Sequence, residues 1–282
     1  MKGQVIKKKA NAFWVYAENQ TFVCTAQKKM KTYGVFVGDF VEFDQQQKQI
    51  LRLLPRKNKL LRPPLANLDA LVILITSAPA PDFYLLDKMI LFCKASGIEP
   101  IICHSKTDLE SDWVEYLHRA YGKHFEIVEV SAHKGAGIDN LLALLQGKTC
   151  AFAGQSGVGK SALINAIVGN GAAIEGELSS KIERGKNTTR HTELFEIAQN
   201  TFLADTAGFS SLDETFLPIN ADELGRYYPE FVELAPKCKF STCTHLHEPD
   251  CAIKKALESG EIDKGRYERY QTIYNNLKQS RK

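Results

Sequence analysis

The chain has 282 residues, 44% of them hydrophobic and 24% charged, an ordinary soluble globular balance long enough for two or three domains. No apolar run approaches the roughly 18–20 residues needed to cross a bilayer, which excludes membrane-spanning functions. The net charge of +3 conceals an asymmetry: the first 65 residues hold 13 basic and 4 acidic side chains, a net of +9 that leaves −6 for the rest. A small unit that basic points to an anionic partner, nucleic acid first. The opening MKGQVIKKKANAF carries charge but no apolar core of the kind an export signal needs, so a cytoplasmic protein is expected.

Residues 1–65 alternate short apolar stretches with polar turns: FWVYAE, QTFVCTA, GVFVGDFVEFD and QILRLL. Strand-length runs rich in Val, Phe and Tyr at this spacing predict a small β-barrel, with Gly38-Asp39 as a bulge or bend. RKNKLLRPPLANLD, with Pro63 and Pro64 and no periodicity, reads as a linker. From residue 69 the rhythm changes. ALVILIT (70–76) is a continuous apolar run, as in a buried parallel strand. FYLLDKMILFCKASG (83–97) has helical spacing and ends at a glycine. IEPIICH (98–104), a helix near 111–121, FEIVEV (125–130), a helix near 138–146 and TCAFAG (149–154) follow. Such alternation predicts a parallel sheet covered on both faces. Beyond residue 213 the chain turns aromatic, acidic and cysteine-bearing, and ends in helical, basic sequence. Domains are therefore expected at 1–65, 66–213 and 214–282.

Gly154, Gln155, Ser156, Gly157, Val158, Gly159, Lys160 and Ser161, with Ala162 behind them, match the G-x-x-x-x-G-K-[ST] phosphate loop at every fixed position. An apolar strand precedes it and a helical pattern follows, as the motif requires. Its backbone N–H groups and the helix N-terminus suit a β-phosphate. Lys160 would bridge β- and γ-phosphate oxygens, and the Ser161 hydroxyl would ligate Mg²⁺. Downstream, Asp205-Thr206-Ala207-Gly208 ends another apolar strand. Asp205 would hold Mg²⁺, usually through water, and the Gly208 N–H would sense the γ-phosphate. Between the two lies Gly176–Arg190, a polar loop in which Thr188 or Thr189, with Thr189 favoured, would complete the Mg²⁺ shell.

Ser105-Lys106-Thr107-Asp108 follows the strand IEPIICH and fits the base-reading element of nucleotide-binding folds. The Asp108 carboxylate would accept both guanine N–H groups while the Lys106 stem packs on the base. Adenine offers no such donor pair. Ser131-Ala132 closes the next strand, where a backbone N–H would reach guanine O6. An ATPase or kinase on the same phosphate loop is disfavoured by Asp108, Ser131 and Ala132. A GTP-regulated RNA-binding scaffold, in which hydrolysis only times release, stays open. The base-reading elements precede the phosphate elements, the reverse of the usual order, which implies circular permutation.

Of seven cysteines, Cys24, Cys93, Cys103 and Cys150 sit among apolar neighbours and read as buried packing. Cys238, Cys243, His245 and Cys251 fall within 14 positions and suit a closed, structural tetrahedral Zn²⁺ site, with His247 as a spare candidate. An odd count without an export signal argues against a disulfide framework.

Together VGDFVEF, RPPLANLD, GQSGVGKSALIN, DTAGF, YPEF and CKFSTCTHLHEPDCAI resemble the circularly permuted, ribosome small-subunit-dependent GTPases of bacteria, along essentially the whole chain. The resemblance implies a multi-domain protein: an N-terminal OB-fold β-barrel, a central permuted α/β P-loop GTPase domain and a C-terminal mainly helical zinc-binding domain. It implies GTP/GDP, Mg²⁺ and one structural Zn²⁺, and binding to the 30S subunit and its 16S rRNA late in maturation, with hydrolysis stimulated by the subunit. No coiled-coil pattern is present, and a monomer is expected. Three departures stand out. Members usually have Asn in place of Ser105, so guanine preference with weaker affinity is expected. A switch close to G-R-H-T-T-T is replaced by Gly185-Lys186-Asn187-Thr188-Thr189-Arg190, leaving His191 a loose substitute for the missing histidine. D-T-P-G becomes D-T-A-G. Many GTPases then place glutamine, where Phe209 stands here; phenylalanine cannot orient water, so slow intrinsic hydrolysis is expected.

Overall fold

The computed structural model describes residues 1–26, 34–61, 63–169, 192–205 and 217–280. Strands β1 (Lys2–Lys9), β2 (Ala12–Ala17), β3 (Gln20–Ala26), β4 (Phe40–Asp44) and β5 (Gln49–Leu53) form the barrel. They pair in the order β1-β2-β3-β5-β4, with β4 returning to β1. That closure is the OB arrangement and leaves no free edge. Alternation decides it: Phe13, Val15 and Ala17 of β2 point inward onto Val5, Val41, Phe43 and Ile50. The Gly38-Asp39 bend is present. Gly38 has φ 90° and a Cβ there would lie 1.9 Å from the Ala66 carbonyl, so only glycine fits. Buried Asp39 takes two hydrogen bonds from Arg56, at 2.6 and 2.7 Å.

The stretch read as a linker is packed structure instead. β6 (Lys59–Leu61) and β7 (Pro64–Ala66) form a small hairpin, and Leu60, Leu65 and Leu68 are buried in the main core. Asn58 and Asn67 bind backbone groups across it, and Asn67 also donates to the Gly38 carbonyl at 2.9 Å.

The central sheet contains β8 (Ala70–Ile75), β9 (Glu99–Ser105), β10 (Glu126–Val130), β11 (Thr149–Ala153), β12 (Glu193–Ala198) and β13 (Thr201–Asp205), ordered β10-β9-β8-β11-β13-β12. All neighbours are parallel except β12, which runs antiparallel to β13. Every residue of β8 and β11 is buried, as central parallel strands require. Helices α1 (Phe83–Ser96) and α2 (Val114–Tyr121) pack on one face, α3 (Ile138–Leu145) and α4 (Lys160–Gly169) on the other. α1 begins where Asp82 accepts from the Leu85 N–H and stops at Gly97.

The barrel and the central sheet are continuous, since β1 also pairs with β12. Lys7 and Glu193 form an ion pair at 2.7 Å there, and Tyr16 donates to Glu196 at 2.7 Å. The C-terminal region holds α5 (Pro229–Leu234), α6 (Ala252–Glu258) and α7 (Lys264–Gln279). No described helix is long and apolar enough to cross a membrane.

The C-terminal region docks through buried charge. Asp87, on the inner face of α1, accepts from Arg266 and Arg269 of α7, each at 2.5 Å, and from the Tyr121 hydroxyl at 2.7 Å. Arg266 also donates to Glu230 at 2.5 Å, and its guanidinium lies between the rings of Tyr121 and Tyr228. Burial works against the Arg266 charge, and Asp87 and Glu230 more than offset it. Removing one partner of such a set strands the other charge, at a cost of about 3–5 kcal/mol. Arg266→Leu is therefore expected to raise hydrogen exchange across α7 and lower its local stability by about that amount. Unchanged α7 protection would show that the cluster is not what holds this region.

Candidate nucleotide and metal sites

The C-terminal ends of the parallel strands meet at one edge. β11 runs into the phosphate loop, and Gly154 takes φ 133° with its α-carbon against β8, where a Cβ would lie 2.5 Å from the Leu74 carbonyl. Val158 is buried beneath the loop; Gln155 and Gly159 are half-buried, and Ser156, Gly157, Ser161 and Ala162 lie exposed at its mouth. Lys160 opens α4. Its ammonium donates to the Gly154 and Gln155 carbonyls at 2.6 and 2.8 Å, and partial burial lowers its pKa.

β9 delivers the residues expected to read the base to the same place. Buried Ser105 donates from its hydroxyl to the Val158 carbonyl at 2.7 Å, so it braces the phosphate loop. Lys106, at φ 57°, donates to the Gly157 and Ala78 carbonyls at 2.8 and 2.6 Å, tying three loops together. Asp108 is exposed and accepts from the Ser131 hydroxyl at 2.5 Å, a bond that holds its carboxyl below the usual range. The Thr107 N–H donates to the Val130 carbonyl, which fixes this loop beside Ser131 and half-buried Ala132. Asp205 ends β13, the parallel neighbour of β11, and so shares the phosphate-loop edge. Thr188, Thr189, Asn187, His191, Gly208 and Phe209 lie outside the described residues.

The cysteine cluster also assembles. One donor atom from each of Cys238, Cys243, His245 and Cys251 lies within 4.8 Å of every other. The Cys238 and Cys251 sulfurs are 3.9 Å apart, and the His245 Nδ1 stands 3.7 and 3.5 Å from them. A tetrahedron with Zn–S near 2.3 Å and Zn–N near 2.0–2.1 Å has edges of roughly 3.5–3.8 Å, so the set fits Zn²⁺. His247 is exposed and takes no part.

A family model described as RsgA GTPase matches residues 53–215. Relatives named small ribosomal subunit biogenesis GTPase RsgA include those of Ruminiclostridium cellulolyticum and Caldanaerobacter subterraneus. Both are 38% identical to this chain; the first match covers 97% of the chain and 93% of the relative, the second 100% and 97%. The chain belongs to the RsgA GTPase family. Among solved structures, YjeQ from Thermotoga maritima matches with a TM-score of 0.83 at 31% identity, covering 98% of both chains. YloQ, titled a circularly permuted GTPase, matches with a TM-score of 0.83 at 29% identity, covering 100% of this chain and 96% of its own. The protein is thus a GTP-hydrolysing enzyme on a permuted fold, and the family implies GTP, GDP and Mg²⁺ as its ligands.

Sequence reasoning missed the supports of the RsgA metal loop. Glu248 accepts from the Thr244 and Leu246 N–H groups, at 2.7 and 3.1 Å, and from the Thr244 hydroxyl. Tyr267 and Tyr270 donate to the His245 and Thr244 carbonyls at 2.7 and 2.5 Å. The H-L-H-E spacing carried that signal only weakly.

Ser105→Ala strands the buried Val158 carbonyl and should weaken GTP and ATP binding alike by about tenfold. Asp108→Asn should instead erase most of the preference for GTP over ATP. Competition against a fluorescent GDP analogue separates the two, and a preference lost in Ser105→Ala would contradict the bracing role. Cys251→Ser should abolish stoichiometric zinc and raise hydrogen exchange from 238 to 251 while leaving GDP binding intact; retained zinc would exclude Cys251 as a ligand.

Proposed function

We propose that this chain binds the small (30S) ribosomal subunit in the cytoplasm, as a monomer, and acts in its late maturation, hydrolysing GTP to GDP and phosphate with stimulation by the subunit. The names of its relatives support the subunit as partner. The observation that carries the enzymatic half is the bracing of the base-reading loop onto the phosphate loop by Ser105 and Lys106. On this reading the barrel of residues 1–65 and the zinc-bearing region from 214 to 282 flank a GTPase unit of 66–213 and grip 16S rRNA.

Roles are assigned as follows. Asp108 reads the guanine N–H pair, and the backbone at Ser131-Ala132 reads O6. The N–H groups of 154–161 cradle the phosphates, and Lys160 leaves its carbonyl partners for the β- and γ-oxygens. Bound Mg²⁺ supplies charge neutralisation at those oxygens; Ser161, Thr189 and Asp205 would hold it. Gly208 and Thr189 would respond to the γ-phosphate. Since Phe209 cannot orient water, the subunit would supply the missing group or the missing order.

Turnover measured with and without purified 30S subunits, with ATP in parallel, tests this. GTP hydrolysis should be slow alone and rise by about 10²-fold or more with 30S, in the range that partner-supplied groups achieve. Lys160→Ala should lose that stimulated turnover. Fast turnover by the isolated protein, or indifference to 30S, would overturn the proposal.

A further inference from the structure

A half-open groove of about 820 Å³ lies away from the nucleotide loop, between the segment 222–236 and the metal loop. Its walls include Val232, Pro236 and Phe240, with buried Tyr270 at the base. Val232 and Phe240 are 51% and 42% exposed and share this one groove.

Phe240 stands between two metal ligands, Cys238 and Cys243, and its own carbonyl accepts the Cys243 N–H at 3.2 Å. The metal loop therefore fixes the backbone that carries this exposed ring. Arg226 and Lys239 line the groove, Lys239 with its ammonium 5.8 Å from the Phe240 ring centre, and exposed Lys237 lies between the lining residues Pro236 and Cys238. The lining carboxylates are engaged, Asp222 by Lys278 at 2.8 Å and Glu223 by Asn220 at 3.0 Å and Arg226 at 3.5 Å. Lys239 reaches exposed Asp250 at 3.3 Å, a solvent-screened pair that a phosphate can displace. Ser241 and Thr242 add exposed hydroxyls at the rim. An exposed aromatic face beside lysines is how sequence-tolerant sites hold single-stranded nucleic acid, through base stacking with backbone phosphates on the cations. An apolar protein segment would find the same floor but would meet Lys237 and Lys239 at the rim.

We propose that this groove seats one unpaired RNA base, stacked on Phe240, with its flanking phosphates on Lys237 and Lys239. The inference rests on the ribosomal reading above for the source of the RNA, and it names where a single-stranded element is held. It differs from binding of the barrel lysines to phosphates, which grip single and double strands alike.

The test uses the full zinc-loaded chain and its F240A, F240Y and F240L variants, each checked for equal zinc content. Affinity is measured for a short fluorescein-labelled single-stranded RNA of mixed sequence and for its duplex. The change in the ratio of the two affinities between variants is the readout, because the barrel is identical in all four proteins. F240A should lower the single-strand preference by about tenfold, as loss of one stacked base does. F240Y should retain it, and F240L should fail like F240A, because leucine has bulk without a π-face. Four matching ratios would overturn the proposal. So would rescue by F240L, which would assign the groove to an apolar protein side chain. The same variants are run on purified 30S subunits. A wild type that binds the oligonucleotide through Phe240 but not the subunit breaks only the ribosomal reading; subunit binding with no Phe240 effect on the oligonucleotide breaks only this one.

Discussion

Parallel strands that end on one side of a sheet decide where the nucleotide chemistry of this protein sits. β8 lies between β9 and β11, and its terminal carbonyls serve both neighbours: Leu74 abuts Gly154, and Ile75 lies 3.4 Å from the Ser105 hydroxyl. Residues 53 positions apart, Ser105 and Val158, therefore meet by hydrogen bond. Adjacency here follows strand order in space, and chain order is free to differ. A permuted sequence thus builds the same site, provided that the glycines remain at the strand end where backbone must approach backbone.

The second determinant is a charge taken out of water. Asp87 is 1% exposed, and it is tolerated because two guanidinium groups and a tyrosine hydroxyl fill its oxygens. Apolar replacements of buried ion pairs are often as stable, so stability alone does not explain the choice. What the cluster adds is directional bonds between α7 and both α1 and α2. Among the described residues two loose ends remain in this cluster, as the second oxygen of Glu230 and the Tyr228 hydroxyl are buried without a partner.

The legible features were the local ones. Glycine spacing in 154–161 and ligand spacing in 238–251 report chemistry within a few residues, so each could be read from composition and order. The helix at 83–96 was equally plain, because Asp82 and Gly97 mark its ends. Asp87 was not legible. Inside a helical pattern a lone carboxylate reads as solvent-facing, and its partner Arg266 is 179 residues away. The packed hairpin at 59–66 was missed because two short strands beside paired prolines show no period, and the residues that bury Leu60 and Leu65 come from elsewhere. Ser105 read as a weakened base contact; only the fold shows its hydroxyl turned onto the phosphate loop.

These contacts bear on how the three parts can move. The barrel is joined to the central sheet by the β1–β12 pairing, by Gln4 donating to Thr149 at 3.0 Å, and by Tyr16 packed edge-on against Phe202. The C-terminal region is joined at α1 by buried ion pairs, which cost several kcal/mol to separate. The helix that carries Asp87 starts just past the loop bearing Ala78, which Lys106 of the base-reading loop holds by its carbonyl. So the metal-bearing region is tied to the helix that follows the nucleotide edge as well as to the chain beyond Asp205. A displacement of the C-terminal region as a body must carry α1 with it or break the Asp87 cluster. The first course disturbs the Lys106 contacts and the second strands a buried carboxylate. A large independent swing of that region is thus the more costly motion, and any small shift of it is mechanically a shift at the nucleotide edge.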